Sequence, residues 1–255
     1  MIPPGDRGLT LGDGLFETIL SRGGELMLLD EHLARLTRGC ATLGLPEPDL
    51  SEARRLCEDA AASIEGRAAV RLTLTAGSGG RGLDRPADPA PRLFATTAAA
   101  PAPTGPATLI TASVRRNEGS PASRLKTLSY LDSVLARAEA TAAGADEALM
   151  LNNAGEVACA AAANIFWIEG ERLCTPALDC GVLDGVIRAK VLEAAPRAGL
   201  TPHEIRAMPG QIAAADEVFL TSSLIGLRPV SSLDGNTLGA GIGVTALLEH
   251  LRELV

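Results

Sequence analysis

Apolar and polar residues alternate over positions 14–20 (Gly-Leu-Phe-Glu-Thr-Ile-Leu), directly after a glycine turn. This period of two predicts a first strand. Positions 25–29 predict a second, short one. From Asp30 the period lengthens. Leu33, Leu36 and Leu43 share one face, which predicts a helix to residue 43 with Asp30 as its N-cap. Ser51 is the expected N-cap of a second helix, running to about residue 64. Positions 68–75 (Ala-Ala-Val-Arg-Leu-Thr-Leu-Thr) alternate again as a strand. Gly77-Ser78-Gly79-Gly80-Arg81-Gly82 is a glycine-rich loop, and strands follow at 92–97 and 107–113.

Residues 115–123 are polar and carry Asn117, Gly119 and Pro121, so the domain boundary is expected there. That gives a small first subdomain (1–114), an interdomain loop (115–123) and a larger second subdomain (124–255). The second half predicts a helix over 127–143, strands at 147–151, 164–169 and 172–175, and helices at 185–199 and 209–214. A strand at 217–221 and a last helix at 241–254 complete it. No internal repeat is visible. The pattern predicts an α/β (α+β) protein of two subdomains with mixed sheets and a crevice between them, the usual place for a small ligand.

Composition removes several classes of function. Among 255 residues, 46% are hydrophobic, enough for a sizeable core. The net charge of −8 and an aromatic share of 2% give no basic, aromatic-lined patch, so nucleic-acid binding is not expected. No apolar run reaches about 18 residues, so no membrane span is expected. The N-terminus shows no basic segment followed by an apolar one, and no signal peptide is read there. Five cysteines without a CxxC pair fit reduced thiols in the cytosol. Three scattered histidines make a metal site improbable.

Lysine is the informative residue. Only Lys126 and Lys190 stand against 21 arginines. Lysine can lose its charge and condense with a carbonyl, which arginine cannot do. A GC-rich genome explains the bias, but it also leaves only two candidates for such chemistry. Lys190 falls in an exposed helix turn. Lys126 lies just before an apolar helix, beside the only tyrosine, Tyr130. Burial there would lower its pKa, although taken alone an ordinary loop lysine is the commoner reading. Tyr130 would lie one helical turn later, as a hydrogen-bond donor to a ligand or as a core tyrosine. Thr221-Ser222-Ser223 after a strand, and Gly185 opening a helix, are candidate phosphate cradles, or simply capped turns. Arg35 would suit the same phosphate, and Arg81 would suit a carboxylate; a solvated arginine is the alternative at both.

Taken together and in order, these stretches resemble the class IV aminotransferases, fold type IV pyridoxal-phosphate enzymes of the D-amino-acid aminotransferase type. The resemblance rests on Asp6-Arg7-Gly8 through Gly12-Asp13-Gly14-Leu15-Phe16-Glu17, then Glu31-His32-Leu33-Ala34-Arg35-Leu36. It continues through Lys126 with Tyr130-Leu131, Asp146-Glu147-Ala148-Leu149, Ala163-Asn164-Ile165-Phe166, Gly185-Val186-Ile187-Arg188 and Thr221-Ser222-Ser223. It implies that Lys126 carries the cofactor and shuttles the proton. It further implies that Arg35, the amides of Val186 and Ile187, and Ser222 with Ser223 hold the cofactor phosphate. Tyr130 would bond the ring hydroxyl, and Phe16 and Arg81 would face the substrate. A homodimer is implied, acting on a small amino substrate in the cytoplasm.

Two departures stand out. Cys159 takes the place of the family's glutamate, which holds the pyridine nitrogen protonated. Glu156 is three residues earlier, and in a strand an odd offset faces the other way. A thiol in that place would weaken the cofactor as an electron sink. The chain also begins almost at Asp6-Arg7-Gly8, so a preceding strand is shortened or lost, or the true start lies upstream. The glycine loop, Arg115-Arg116-Asn117 and the 163–167 run resemble aminodeoxychorismate lyases, which eliminate pyruvate to give p-aminobenzoate, a folate precursor. An aminotransferase for branched-chain or D-amino acids is the alternative enzyme, and an inactive cofactor-binding remnant the non-enzyme one.

Overall fold

The strand predicted at 14–20 forms, and the first unit is assembled on it. A computed structural model describes residues 2–239 and 241–251. The chain separates into two units: Met1–Ala102 with Leu125–Ser129, and Pro103–Arg124 with Tyr130–Val255.

The first unit opens with a short helix, α1 (Arg7–Leu11). It continues with β1 (Gly14–Arg22), β2 (Glu25–Leu26), α2 (Leu29–Leu43), α3 (Leu50–Ala62), β3 (Arg67–Thr75) and β4 (Arg92–Ala99). The sheet runs β2-β1-β3-β4 and is antiparallel throughout, where the sequence predicts a mixed one. Alternation sorts β1 into two faces. Leu15 and Ile19 join Val70, Leu72 and Leu74 of β3 against Leu33 and Leu36 of α2 and Ala53 and Cys57 of α3. Each fully buried leucine there contributes roughly 2 kcal/mol. Phe16 and Thr18, paired with Thr73 and Arg71, look the other way.

Both predicted caps move. Asp30 lies inside the first turn of α2, and Leu28 holds the cap position in a left-handed conformation without a side-chain bond. Asp30 suits its place nonetheless, because a carboxylate in the first turn faces the positive end of the helix. Asp49, not Ser51, caps α3, and its carboxylate accepts from the amides of Ser51 and Glu52 at 3.0 Å each.

The largest local difference falls at Lys126. The helix predicted from residue 127 begins only at Leu131, because residues 125–129 are drawn into extended pairing with β1. The Phe16 amide donates to the Lys126 carbonyl at 2.9 Å, and the Leu128 amide to the Gly14 carbonyl at 3.0 Å. Leu15 and Thr127 sit opposite each other. Gly14 permits this: a Cβ there would lie 2.3 Å from the Leu74 carbonyl oxygen and 2.8 Å from Leu128 Cδ1.

The second unit contains β5 (Ala107–Thr111), α4 (Leu131–Ala142), β6 (Glu147–Leu151), β7 (Val157–Ala160), β8 (Asn164–Glu169) and β9 (Arg172–Pro176). Then come α5 (Val186–Ala194), β10 (Thr201–Ile205), α6 (Pro209–Ala213), β11 (Glu217–Ser222), β12 (Gly226–Leu233), β13 (Asn236–Thr237) and α7 (Gly243–Leu251). Its mixed sheet runs β10-β9-β8-β11-β12-β5-β6-β7, with β13 on β12. β5 is parallel to both β12 and β6. Those two partners carry it, with the 115–123 loop, into the second unit, whereas the sequence places it in the first. Four strands escape the sequence pattern. β10 and β12 contain Pro202 and Pro229, which mask a strand signal, β7 is only four residues long, and β13 only two. The helix predicted over 185–199 ends at Ala194 and finishes as a 3-10 turn, Ala195–Ala198, around Pro196. Residues 252–254 of the predicted last helix lie outside the described residues.

Gly14→Ala is expected to cost about 2 kcal/mol through overpacking and to loosen the 125–129 pairing. Hydrogen exchange at the Phe16 and Leu128 amides, with a urea midpoint, measures both. Unchanged protection at the two amides would refute the pairing as the fastening.

Candidate functional site

In the first unit the site grows from a carboxylate in an apolar place. Glu17 lies between Leu15 and Ile19 on the helix-facing side of β1 and is buried. An ionised carboxylate there needs partners, and α2 supplies them from one face at a spacing of three. Arg35 Nε donates to Glu17 Oε1 at 2.9 Å, and Nη2 donates to Oε2 at 2.5 Å. His32 Nδ1 is 2.7 Å from Oε2. Burial pushes the Glu17 carboxyl upward, but Arg35 and then His32 outweigh it, and it falls to about 2. Burial likewise lowers His32, against the pull of Glu17, with Arg35 and Lys126 adding to the lowering. A neutral imidazole beside an ionised carboxylate must hold its proton on Nδ1 and donate it.

Lys126 stands on the opposite face. Thr127 pairs with Leu15, so alternation turns Lys126 toward the Phe16 side. Its Nζ lies 4.2 Å from the centroid of the Phe16 ring, and Arg71 Cζ lies 3.6 Å from the same centroid. Two cations are thus held against one aromatic ring, an arrangement with a cation–π contribution. Arg71 escapes a sequence reading that singles out lysines and loops, and its only signal is its place in register beside Thr18 on the Phe16 face. Arg81 is exposed on the loop after β3.

In the second unit, Gly185 precedes α5 with no side-chain cap, so the first amides of that helix lack a capping side chain. Asn164 shapes the approach: its Nδ2 donates to the Leu183 carbonyl at 2.9 Å. A Cβ on Gly185 would lie 2.0 Å from Asn164 Oδ1. Thr221 is paired with Asn164 across β11 and β8, so the two side chains share a face. The Thr221 hydroxyl is buried with no hydrogen-bond partner. An orphaned hydroxyl beside an uncapped helix start fits a phosphate. The sequence offers Thr221 with Ser222 and Ser223 as one cradle, and the family resemblance implies the two serines for the phosphate. Ser222 Oγ accepts from the Ile225 amide at 3.4 Å, a turn-closing role.

One residue differs from expectation. Tyr130 is not one helical turn from Lys126, since it occupies the N-cap position of α4 and residues 125–129 are extended. Cys159 is buried in a cluster of small residues including Ala136, Ala148, Ala158 and Ala161. Burial raises its thiol, Arg116 opposes this and Glu147 adds to it, so the sulfur is protonated and neutral. Glu156 is committed elsewhere: it accepts from Asn152 Nδ2 at 2.8 Å and from Arg206 at 2.7 Å. Among the described residues there is no group of three metal-ligating side chains, and no helix is long and apolar enough to cross a membrane.

Glu17→Gln leaves a buried guanidinium without its counter-charge and is expected to cost about 3 kcal/mol. The pH dependence follows from the lowered pKa. Glu17 stabilises the fold fully above its ordinary value of 4.5 and loses that contribution as pH falls toward 2. Urea midpoints between pH 7 and 2 should show this acid arm in the wild type and not in the variant. Equal acid arms would refute it.

A family model described as amino-transferase class IV matches residues 14–233. A putative branched-chain-amino-acid aminotransferase from Methanocaldococcus jannaschii is 33% identical over 240 residues, 91% of this chain and 83% of that protein. The crystal structure of 4-amino-4-deoxychorismate lyase from Pseudomonas aeruginosa is 34% identical with a TM-score of 0.89, covering 99% of this chain and 95% of the other. A hypothetical aminotransferase from Mycobacterium tuberculosis, in a PLP-bound form, is 25% identical with a TM-score of 0.85, over 97% and 92% of the two chains. With a matched span this long and the lysine strand, helix start and buried carboxylate in place, the chain belongs to the amino-transferase class IV family.

Proposed function

We propose that this protein is a pyridoxal-phosphate enzyme that eliminates pyruvate from 4-amino-4-deoxychorismate to give p-aminobenzoate. The observation that carries it is the fastening of Lys126 beside Phe16, which leaves the better placed of two lysines on a defined face of β1. When bound, pyridoxal phosphate supplies an aldehyde that captures amines and a ring that draws electrons from the adjacent carbon. Lys126 would hold the cofactor until the substrate amine displaces it. Its freed Nζ would then take the proton from the substrate carbon bearing the amine, the C–O bond to the enolpyruvyl group would break as the ring becomes aromatic, and the leaving enolpyruvate would take up that proton to become pyruvate. Arg71, held on the same Phe16 ring, suits a substrate carboxylate, as does Arg81. The amides of Val186 and Ile187, Thr221 and its neighbours Ser222 and Ser223 suit the cofactor phosphate, with Arg35 a further cation for it and Tyr130 for the ring hydroxyl.

Cys159 favours a lyase over an aminotransferase. A neutral thiol cannot hold a pyridine nitrogen protonated as a carboxylate does, so the sink is weaker. Aromatisation supplies much of the driving force of the elimination, so a weak sink costs less there than in transamination. Similarity to the Pseudomonas lyase over almost the whole chain supports the same reading. An apolar stripe on α4, where Leu131, Val134 and Leu135 are exposed, supports self-association as a homodimer. Five free, buried cysteines support a reducing, cytoplasmic location.

Purified protein with pyridoxal phosphate and fresh aminodeoxychorismate should release p-aminobenzoate, and Lys126→Ala should lose nearly all of it. No release, with transamination of branched-chain or D-amino acids instead, would replace the lyase with an aminotransferase; no turnover of either kind would leave a cofactor-binding remnant. Thr221→Val is expected to leave apoprotein stability unchanged or slightly raised, since it removes an orphaned polar group. It should weaken pyridoxal-phosphate binding about tenfold, the scale of a lost hydrogen bond to a charged group. An unchanged affinity by titration would take Thr221 out of the phosphate site.

A further inference from the structure

The loop between β3 and β4 is unusual in how it is held. Gly77, Gly79, Gly80 and Gly82 all take positive φ, a conformation other residues rarely adopt. Leu83 at its crest is 83% exposed. Such a sequence has the greatest freedom to lose on ordering and gains little apolar burial in return. It is ordered all the same, by the guanidinium of Arg7 across its crest and that of Arg85 at its far end. Arg7, itself buried, donates from Nη2 to the Leu83 carbonyl at 2.9 Å and from Nη1 to the Asp84 carbonyl at 3.1 Å and the Gly82 carbonyl at 3.4 Å. Its Nε donates to Asp13 Oδ2 at 2.9 Å, and its amide donates to the Gly77 carbonyl at 2.8 Å.

Asp13 is the fixed point behind this. Arg85 closes the far end of the loop on the same carboxylate, at 2.9 and 2.6 Å. Arg85 first, against burial, and then Arg7 hold the Asp13 carboxyl below its ordinary range. No side chain fits at Gly80, where a Cβ would lie 2.0 Å from the Asp84 carbonyl oxygen and 3.2 Å from Arg7 Nη1. Arg81, within the clamped span, is exposed, and its guanidinium makes no hydrogen bond or ion pair among the described residues. The base of the loop is close to the lysine strand. Thr75, the last residue of β3, pairs with Gly14, and Gly14 bonds to Leu128, so two strand spacings, roughly 10 Å, separate them.

We propose that Arg7 is a positioning residue for the reaction: its guanidinium, anchored on Asp13, pre-forms the glycine loop so that Arg81 meets a carboxylate of the substrate without first having to order the loop. This rests on the proposed reading of the protein as an enzyme for a carboxylate-bearing amino substrate. Pre-organisation of this kind acts on binding, so its loss raises KM while leaving kcat nearly unchanged.

The test uses the cofactor-loaded enzyme with Arg7→Lys, which keeps the charge beside Asp13 and loses the planar fork. Trypsin reports the loop separately from activity. Arg81–Gly82 is its one susceptible bond between residues 76 and 91, because Arg85 is followed by proline. Expected are about tenfold faster cleavage after Arg81, a KM raised about tenfold and a kcat within about twofold of wild type. Arg81→Ala should raise KM similarly, and the double variant should be no worse than Arg81→Ala alone. Should Arg7→Lys fail to fold, Gly80→Ala disturbs the same loop and should show the same cleavage and KM pattern. Faster cleavage with an unchanged KM would overturn the proposal and leave Arg7 a purely structural clamp. An unchanged KM in Arg81→Ala, with Lys126-dependent turnover intact, would overturn it and leave the proposed function standing. Absence of Lys126-dependent turnover in the wild type would instead sink the reading on which it rests.

Discussion

Two backbone hydrogen bonds decide where Lys126 stands. The Phe16 amide to Lys126 and the Leu128 amide to Gly14 add residues 125–129 to the edge of β1. From that pairing the orientation follows without further adjustment: Thr127 faces the helices, Lys126 faces away, and Phe16 receives the lysine on its ring. The rest of the first unit keeps β1 in place for this purpose. Glu17 on the other face is clamped by Arg35 and His32, which ties α2 to the strand through charge as well as through leucines. One strand therefore carries a locked ionic cluster on its inner face and two basic side chains against Phe16 on its outer one.

Much of this arrangement is legible in the amino-acid order alone. The alternation at 14–20 finds β1, the leucine spacing finds α2, and the scarcity of lysine points to Lys126. What escapes the sequence is tertiary. Residues 127–130 (Thr-Leu-Ser-Tyr) are weak helix formers apart from Leu128, and backbone pairing with β1 takes them into extended structure, so the helix starts only at Leu131. The same pairing undoes the expected lysine–tyrosine spacing. Arg71 is equally silent: an arginine in a strand is ordinary until register places it on the Phe16 face. The boundary expected at 115–123 fails because β5 has its partners, β6 and β12, far along the chain.

The two units differ in what they hold. In the first, Lys126 and Arg71 stand against the Phe16 ring; in the second, Cys159 is a buried, protonated thiol among alanines. A residue of this size and polarity costs little to bury, so Cys159 is comfortable in the fold.

The first unit is discontinuous in sequence, since its last piece is the 125–129 strand and 22 residues of the second unit intervene, Pro103–Arg124. On the ribosome this has an order. β1, α2, α3, β3 and β4 emerge and can pack while the edge of β1 at Gly14 is still open. That edge is a row of unpaired backbone groups until the lysine strand arrives. Lys126 is thus carried by the segment that closes the unit, and a nascent first unit cannot display this amine before its sheet is finished.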